Sequence, residues 1–302
     1  MQQPEIDRLR KEVFSNFGCA PSKVEVLHSW ELSHVERVTL STGGTLVFKA
    51  AVEPFVHEHD ALTSAWQAGV NVPRVYSSTR GPTSLGMLME DLGRPVREAD
   101  DADGIAAALQ LHSSAVPDFL PLADTAWLAS LPSRALRSLR LLQRARWTDA
   151  HDIADTLQEI EKASMRRAEG AMRRPYGWVH SEFHPESLLV TRNRTFVFDF
   201  ARAFRGPGLI DLASWHGTVD PPDVLKTRGF LETYVHEGGP AETLNDRGGL
   251  SAEEWALGWH RMWVLTWFID QSLTWIGDPD DDELYVEVVR RHTNDAARLL
   301  RV

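Results

Sequence analysis

The sequence predicts an α+β chain in two lobes, a small β-rich N-terminal lobe over residues 1–92 and a larger, mostly helical C-terminal lobe over residues 105–302. Three observations point there. Short apolar runs broken by turn residues crowd residues 24–89. Helical periodicity dominates beyond residue 104. Between them, residues 93–104 with Gly93, Pro95, Asp100, Asp101, Asp103 and Gly104 have the composition of a hinge or linker. A length of 302 residues accommodates two lobes, and 43% hydrophobic with 25% charged residues marks a folded chain with a sizeable core.

Taken in order, residues 5–17 form an amphipathic helix that stops near Gly18. Val24 to Leu27, Val35 to Leu40 and Leu46 to Ala50 read as strands, the last two joined by the turn Ser41-Thr42-Gly43-Gly44. A helix is expected from Pro54 to Ala68, with proline in its first turn and Gly69 as its stop. Arg74 to Ser77 and Leu85 to Met89 complete a lobe of five strands and one main helix. Helical patterns follow at Ala102 to His112, Ser133 to Arg144 and Ala150 to Met172. A β-like island then contains Gly177 to His180, Leu188 to Val190 and Thr195 to Asp199, before helices resume at Leu209. A chain built this way is expected to hold a ligand in a cleft.

Lys and Arg number 32 against 43 Asp and Glu, a net charge of −11, which argues against a nucleic-acid binder while leaving room for a local basic phosphate pocket. The single cysteine, Cys19, can form neither an internal disulfide nor a thiolate cluster, so a reducing, cytoplasmic setting is expected. The N-terminus has no apolar signal core, and the most apolar stretch, Trp255 to Ile276, is interrupted by His260, Arg261 and Asp270, as in a buried helix of a non-membrane protein. No nucleic-acid, membrane or obligatory protein partner is expected; the partner is a small molecule.

The island carries the chemistry. It reads His180-Ser181-Glu182-Phe183-His184-Pro185-Glu186-Ser187, then Phe198-Asp199-Phe200, then Asp211-Leu212-Ala213. Two carboxylates and a neutral oxygen donor on and after a loop between strands are the parts phosphoryl transfer needs: a group to orient the attacking hydroxyl and oxygen ligands for Mg²⁺.

This stretch resembles the catalytic region of the aminoglycoside phosphotransferase and choline kinase-like family, distant relatives of protein kinases, whose pattern is His-Gly-Asp, a later Asn, an Asp ending a strand and then Asp-Leu-Ala. The resemblance spans roughly residues 25 to 215 in register. It implies a bilobal protein-kinase-like fold. It further implies that Lys49 touches the nucleotide phosphates, that Glu58 pairs with Lys49, and that the hinge around Glu90, Asp91 and Leu92 holds the base. Glu182 would be the catalytic base, and Ser187 and Asp199 the Mg²⁺ ligands. The implied donor is ATP or GTP.

The departures from the pattern have chemical content. Glu182 stands where the family has Asp, Ser187 where it has Asn, and Ser181 where it has Gly. The segment expected to cover the phosphates, Trp30 to Arg37, contains no glycine, so a backbone cradle is not evident. Each replacement at the acid and the ligand keeps its chemical type. Each assignment also has a structural rival: Lys49 as a strand-end lysine, Glu182 as a solvated loop acid, Asp199 or Ser187 as a cap. His180 reads as a packed loop residue and Asp211 as a brace or helix cap.

Possible substrate contacts are His184, Trp263, Trp267 and Asp270. Trp255, Trp259, Trp263 and Trp267 recur every four residues, a one-sided stripe that suits core packing or an aromatic wall for a flat or sugar-faced acceptor. The acidic run Asp278 to Glu283 suits a solvated loop opening a helix. The functional expectation is an ATP- or GTP-dependent O-phosphotransferase acting on an antibiotic, whether an aminoglycoside, a macrolide or a capuramycin-type nucleoside. The alternative is a pseudokinase that binds nucleotide without turnover. A protein kinase is disfavoured, because only eleven residues separate Asp199 from Asp211.

Overall fold

The computed structural model describes residues 1–302. Its contacts divide the chain into two compact units, Met1–Leu120 with Pro185–Ala203, and Pro121–His184 with Phe204–Val302. The expected boundary at 93–104 and this grouping do not coincide, and the reason lies in the elements themselves.

The first unit opens with α1 (Gln3–Phe17), ended by Gly18 in the left-handed region at φ 77°. Its apolar residues Ile6, Leu9, Val13 and Phe14 recur at helical spacing and pack on Val38, Phe48, Ala50 and Leu88. Those four come from a five-stranded antiparallel sheet ordered β1-β2-β3-β5-β4, with β1 (Pro21–Ser29), β2 (Ser33–Leu40), β3 (Thr45–Val52), β4 (Val75–Arg80) and β5 (Ser84–Glu90). Alternation along β3 sends Phe48 and Ala50 to the α1 face and leaves Lys49 to the other. Gly86 lets α1 approach, since a Cβ there would sit 3.0 Å from Leu9 and 3.1 Å from Val13.

The helix expected from Pro54 begins later, as α2 (Glu58–Gln67). Residues 53–57 are spent on turns, with the Phe55 amide donating to the Val52 carbonyl, so Glu58 falls in the first helical turn. The linker composition of 93–104 likewise conceals a helix start: α3 (Asp101–Ser113) is capped by Asp100 and closed into a capping box by Asp103.

The hairpin of β7 (Leu188–Val190) and β8 (Thr195–Val197) belongs to this unit through named bonds. Val96 N donates to Val190 O, Val197 N donates to Asn71 O, and the Asp103 carboxylate accepts from Arg97 and from the Thr195 hydroxyl.

The second unit is mostly helical, with α4 (Thr125–Ala145), α5 (His151–Arg167), α6 (Leu209–Ser214), α7 (Val224–His236), α8 (Ala252–Thr274) and α9 (Asp282–Leu300). Helix α4 starts before the expected Ser133 and carries Pro132 within it, and α5 ends before Met172. A short ribbon pairs β6 (Tyr176–Val179) with β9 (Phe204–Pro207), a strand the sequence reading did not expect. Helix α8 is the hub, packed on α4, α6, α7 and α9. Trp255 and Trp259 are fully buried, and both indole N–H groups donate to the Arg167 carbonyl, so this half of the tryptophan stripe is core.

Candidate active site

A cavity of about 310 Å³ in the first unit gathers Lys49, Glu58, Glu90, Asp91, Leu92 and Asp199 among its lining residues. Val35 and Val47 from the sheet and Leu189 and Phe198 from the β7–β8 hairpin add apolar walls, so the space suits a flat ring bordered by charge. Lys49 Nζ donates to Glu58 Oε1 and to Asp199 Oδ1, each at 2.8 Å. Glu58 is almost fully buried, whereas the Asp199 side chain is 47% exposed. Burial alone would lower the Lys49 ammonium; the Asp199 and Glu58 carboxylates outweigh it and hold the group above its ordinary range, so it is charged throughout the neutral region. A buried carboxylate such as Glu58 is tolerable because that ammonium faces it.

Asp199 follows β8 with a left-handed backbone, φ 69°, a conformation Asp tolerates better than most residues. The amide of its neighbour Phe198 donates to the Ser187 carbonyl at 3.1 Å, which places Ser187 and Asp199 on the same end of the hairpin. Ser187 is itself buried. Mg²⁺ keeps several waters and takes only one or two protein oxygens beside substrate phosphates, so a half-exposed carboxylate with a neighbouring hydroxyl residue is a donor set that fits it.

At the hinge, Asp91 accepts two bonds from Arg37, at 2.8 and 3.1 Å, and one from the Gly93 amide at 3.0 Å. Burial pushes the Asp91 carboxyl up, and these donors more than reverse it, holding it below the usual range. Arg37 was not singled out from sequence. The available signal was register: Val35 and Arg37 alternate on the strand paired with β3, so they share the face of Val47 and Lys49. The glycine-free turn beside β2 is closed tightly. Trp30 N donates to Ser33 O at 2.8 Å and its ring stacks on Phe55, so that amide is spent within the turn.

Glu182 and His184 belong to the second unit, and Lys49 and Asp199 to the first. The loop that carries them is pinned from below. Asp211, fully buried in α6, accepts from the His180 and Ser181 amides, both at 2.8 Å, so it braces the loop. Ser181 takes φ 75°, which explains why the resembling pattern has glycine at this position. Phe183 is buried against Trp215, ring centroids 5.4 Å apart. With Ser181 and Phe183 both buried, the half-exposed Glu182 between them is held on a fixed backbone.

The other candidate contacts collect on α8. Trp263 packs with Trp127 and Phe204, and the Arg134 guanidinium lies 5.5 Å from the Trp127 ring. Trp267 stacks on Trp275. Asp270 is partly exposed; its carboxylate accepts from Ser138 at 2.7 Å and lies 3.9 Å from Arg134. The helix turns this residue toward the α4 side chains, which satisfy it.

Residues 31–249 match the phosphotransferase enzyme family, APH. The chain belongs to this family. It is therefore a phosphotransferase, and its solved neighbours share the kinase-like architecture of an antiparallel N-terminal sheet followed by a larger helical part. A choline/ethanolamine kinase family protein from Mesorhizobium loti superposes with TM-score 0.65 at 16% identity, covering 93% of this chain and 92% of that one. Amicoumacin kinase hAmiN, solved in complex with AMP-PNP, Ca²⁺ and Ami, gives 0.62 at 14% identity over 97% and 96%. Macrolide 2'-phosphotransferase MphH from Brachybacterium faecium gives 0.60 at 17% identity over 95% and 98%. No individually curated protein matches the phosphotransferase sequence. None of its helices is long and apolar enough to cross a membrane.

Proposed function

We propose that this phosphotransferase moves the γ-phosphoryl group of ATP or GTP to a hydroxyl of a small molecule, with an antibiotic as the leading acceptor class. The observation that carries the reading is Lys49 bridging Glu58 and Asp199 at 2.8 Å each inside the ring-sized cavity. Lys49 holds the nucleotide phosphates and Glu58 fixes its direction. Asp199 and Ser187 hold Mg²⁺, which when bound neutralises charge on the transferring phosphates. The segment at Glu90, Asp91 and Leu92 borders the base, with Asp91 fixed by Arg37. Glu182 accepts or aligns the acceptor hydroxyl, and Asp211 holds the loop from which it acts. Positioning and charge neutralisation supply most of the acceleration.

The α4–α8 face with Trp127, Trp263, Phe204, Arg134 and Asp270 is read as the acceptor wall, with Trp267 and His184 as further contacts. Arg134 and Asp270 put one charge of each sign on that wall, so its charge does not choose among aminoglycosides, macrolides and nucleoside antibiotics. The rival reading, nucleotide binding without turnover, draws on Glu182, Ser187 and the closed glycine-free turn. The intact Lys49–Glu58–Asp199 set supports turnover.

The test is mass spectrometry of a panel of macrolides, nucleoside antibiotics and aminoglycosides after incubation with the protein, Mg²⁺ and ATP or GTP. A phosphoryl mass gain on one class is expected, abolished by Glu182→Ala and by Asp199→Ala. Nucleotide binding with no gain on any compound would favour the rival reading.

A further inference from the structure

Helix α8 also carries Arg261, two positions from Trp263 and therefore turned about 200° away from the aromatic face. Arg261 is 1% exposed. Its single hydrogen bond runs from Nη2 to the Asp220 carbonyl at 3.3 Å, while Nε and Nη1 are buried without an acceptor. No carboxylate pairs with it. Burial lowers this guanidinium to about 10, with Asp295 offsetting part of the effect and Arg291 and Arg298 adding to it, so it is still charged at neutral pH. A buried, unpaired cation is costly and is retained where something compensates it.

Arg261 lines a cavity of about 220 Å³ together with Ala213, Gly217, Asp220, Asp223 and Lys226. The cavity sits at the start of α7, and a helix N-terminus favours negative charge. One of those amides, Lys226 N, is taken by Asp223 Oδ1, whereas the Lys226 ammonium makes no bond. Two cations, the buried Arg261 and the exposed Lys226, thus line a space worth several waters at ~30 Å³ each, together with Asp220 and Asp223. A guanidinium fork matches phosphate and carboxylate oxygens. We propose that this cavity is a binding site for a small oxyanion, a phosphate or carboxylate group, held by Arg261 and Lys226.

The competing role for Arg261 is to pin the loop. Arg291 also donates to the Thr218 and Val219 carbonyls, so successive carbonyls of this loop are tied to arginines. The two roles separate in calorimetric titrations of inorganic phosphate, and in parallel of succinate, into the full chain saturated with AMP-PNP and Mg²⁺. AMP-PNP binding is measured on the same samples, so a failure of the nucleotide reading shows there and not in the oxyanion isotherm. Saturable binding of phosphate or succinate is expected, and which of the two binds identifies the oxyanion. Arg261→Gln and Lys226→Ala each weaken it about tenfold or more, the size expected for losing one charge-assisted contact. Lys226 is exposed, so its variant reads the site even where Arg261→Gln loosens the loop. Absence of saturable binding of both probes, or binding unchanged by Lys226→Ala, overturns the proposal and leaves Arg261 as a loop anchor.

Discussion

Lys49 shows how one residue joins stability to chemistry. Removing it strands the buried Glu58 carboxylate, and breaking a buried pair on one side costs on the order of 3–5 kcal/mol. Lys49→Met is therefore expected to lower the denaturation midpoint markedly and to abolish turnover. The double variant Lys49→Met with Glu58→Leu should recover most of the stability and none of the turnover, measured by urea unfolding and product formation on the same samples. A double variant as unstable as the single would show that the pair does not set the penalty. Ser181 provides a backbone counterpart. At φ 75° a branched side chain is strained, so Ser181→Val should cost about 1–3 kcal/mol in the same unfolding assay, while Ser181→Gly keeps the fold. The Lys49–Glu58 pairing was legible in sequence because it follows from one strand, one helix and a resemblance that covers both. The Arg37–Asp91 pair was not, because it depends on strand register and on a side chain reaching 54 positions along the chain.

Among the elements, those announced by a stop or a turn were legible: α1 with Gly18, the β2–β3 hairpin with Gly43 and Gly44, and the presence of strands around them. Starts were harder. Asp and Gly are the residues of linkers and also the residues of helix caps, so the composition of 93–104 could not show that Asp100 opens α3. Pro54 is compatible with a first helical turn and equally with the turns it occupies. Strand β9, Phe-Arg-Gly-Pro, has no alternation to detect, and only its pairing with β6 makes it a strand. The α3 start also yields a prediction. Asp103 serves the capping box, the Arg97 pair and the Thr195 hydroxyl at once, so it ties α3 to the β7–β8 hairpin. Asp103→Ala should speed hydrogen exchange at the Val96 and Val197 amides while leaving the amides of α8 unchanged. Equal acceleration in α8 would mean a global loss of stability and not a loosened hairpin.

On the scale of the whole molecule, acidic composition coexists with basic side chains buried in the second unit, and this makes stability depend on pH. His292 on α9 is 1% exposed, stacks on Phe268 of α8, and has neither ring nitrogen bonded. Burial, reinforced by Arg261 on α8 and Arg291 on its own helix, lowers it from 6.5 to about 3. The unfolded chain takes up this proton below about pH 6.5 and the folded chain only near pH 3, so the unfolded state binds more protons across that window. The stability held by a neutral His292 is thus complete above pH 6.5 and is lost progressively as the pH falls toward 3, at up to about 1.4 kcal/mol per unit. Asp103, where burial acts upward but Arg97 and its other donors hold the carboxyl at about 2, gives way only below pH 4 and does not overlap the upper part of the window. Urea unfolding between pH 7 and 4.5 should therefore slope downward in the parent chain and flatten in His292→Phe, which keeps the ring packing against Phe268 and removes the proton site. Equal slopes in the two proteins would mean that protonation elsewhere controls the acid sensitivity, and that a neutral imidazole at this position is only a packing residue.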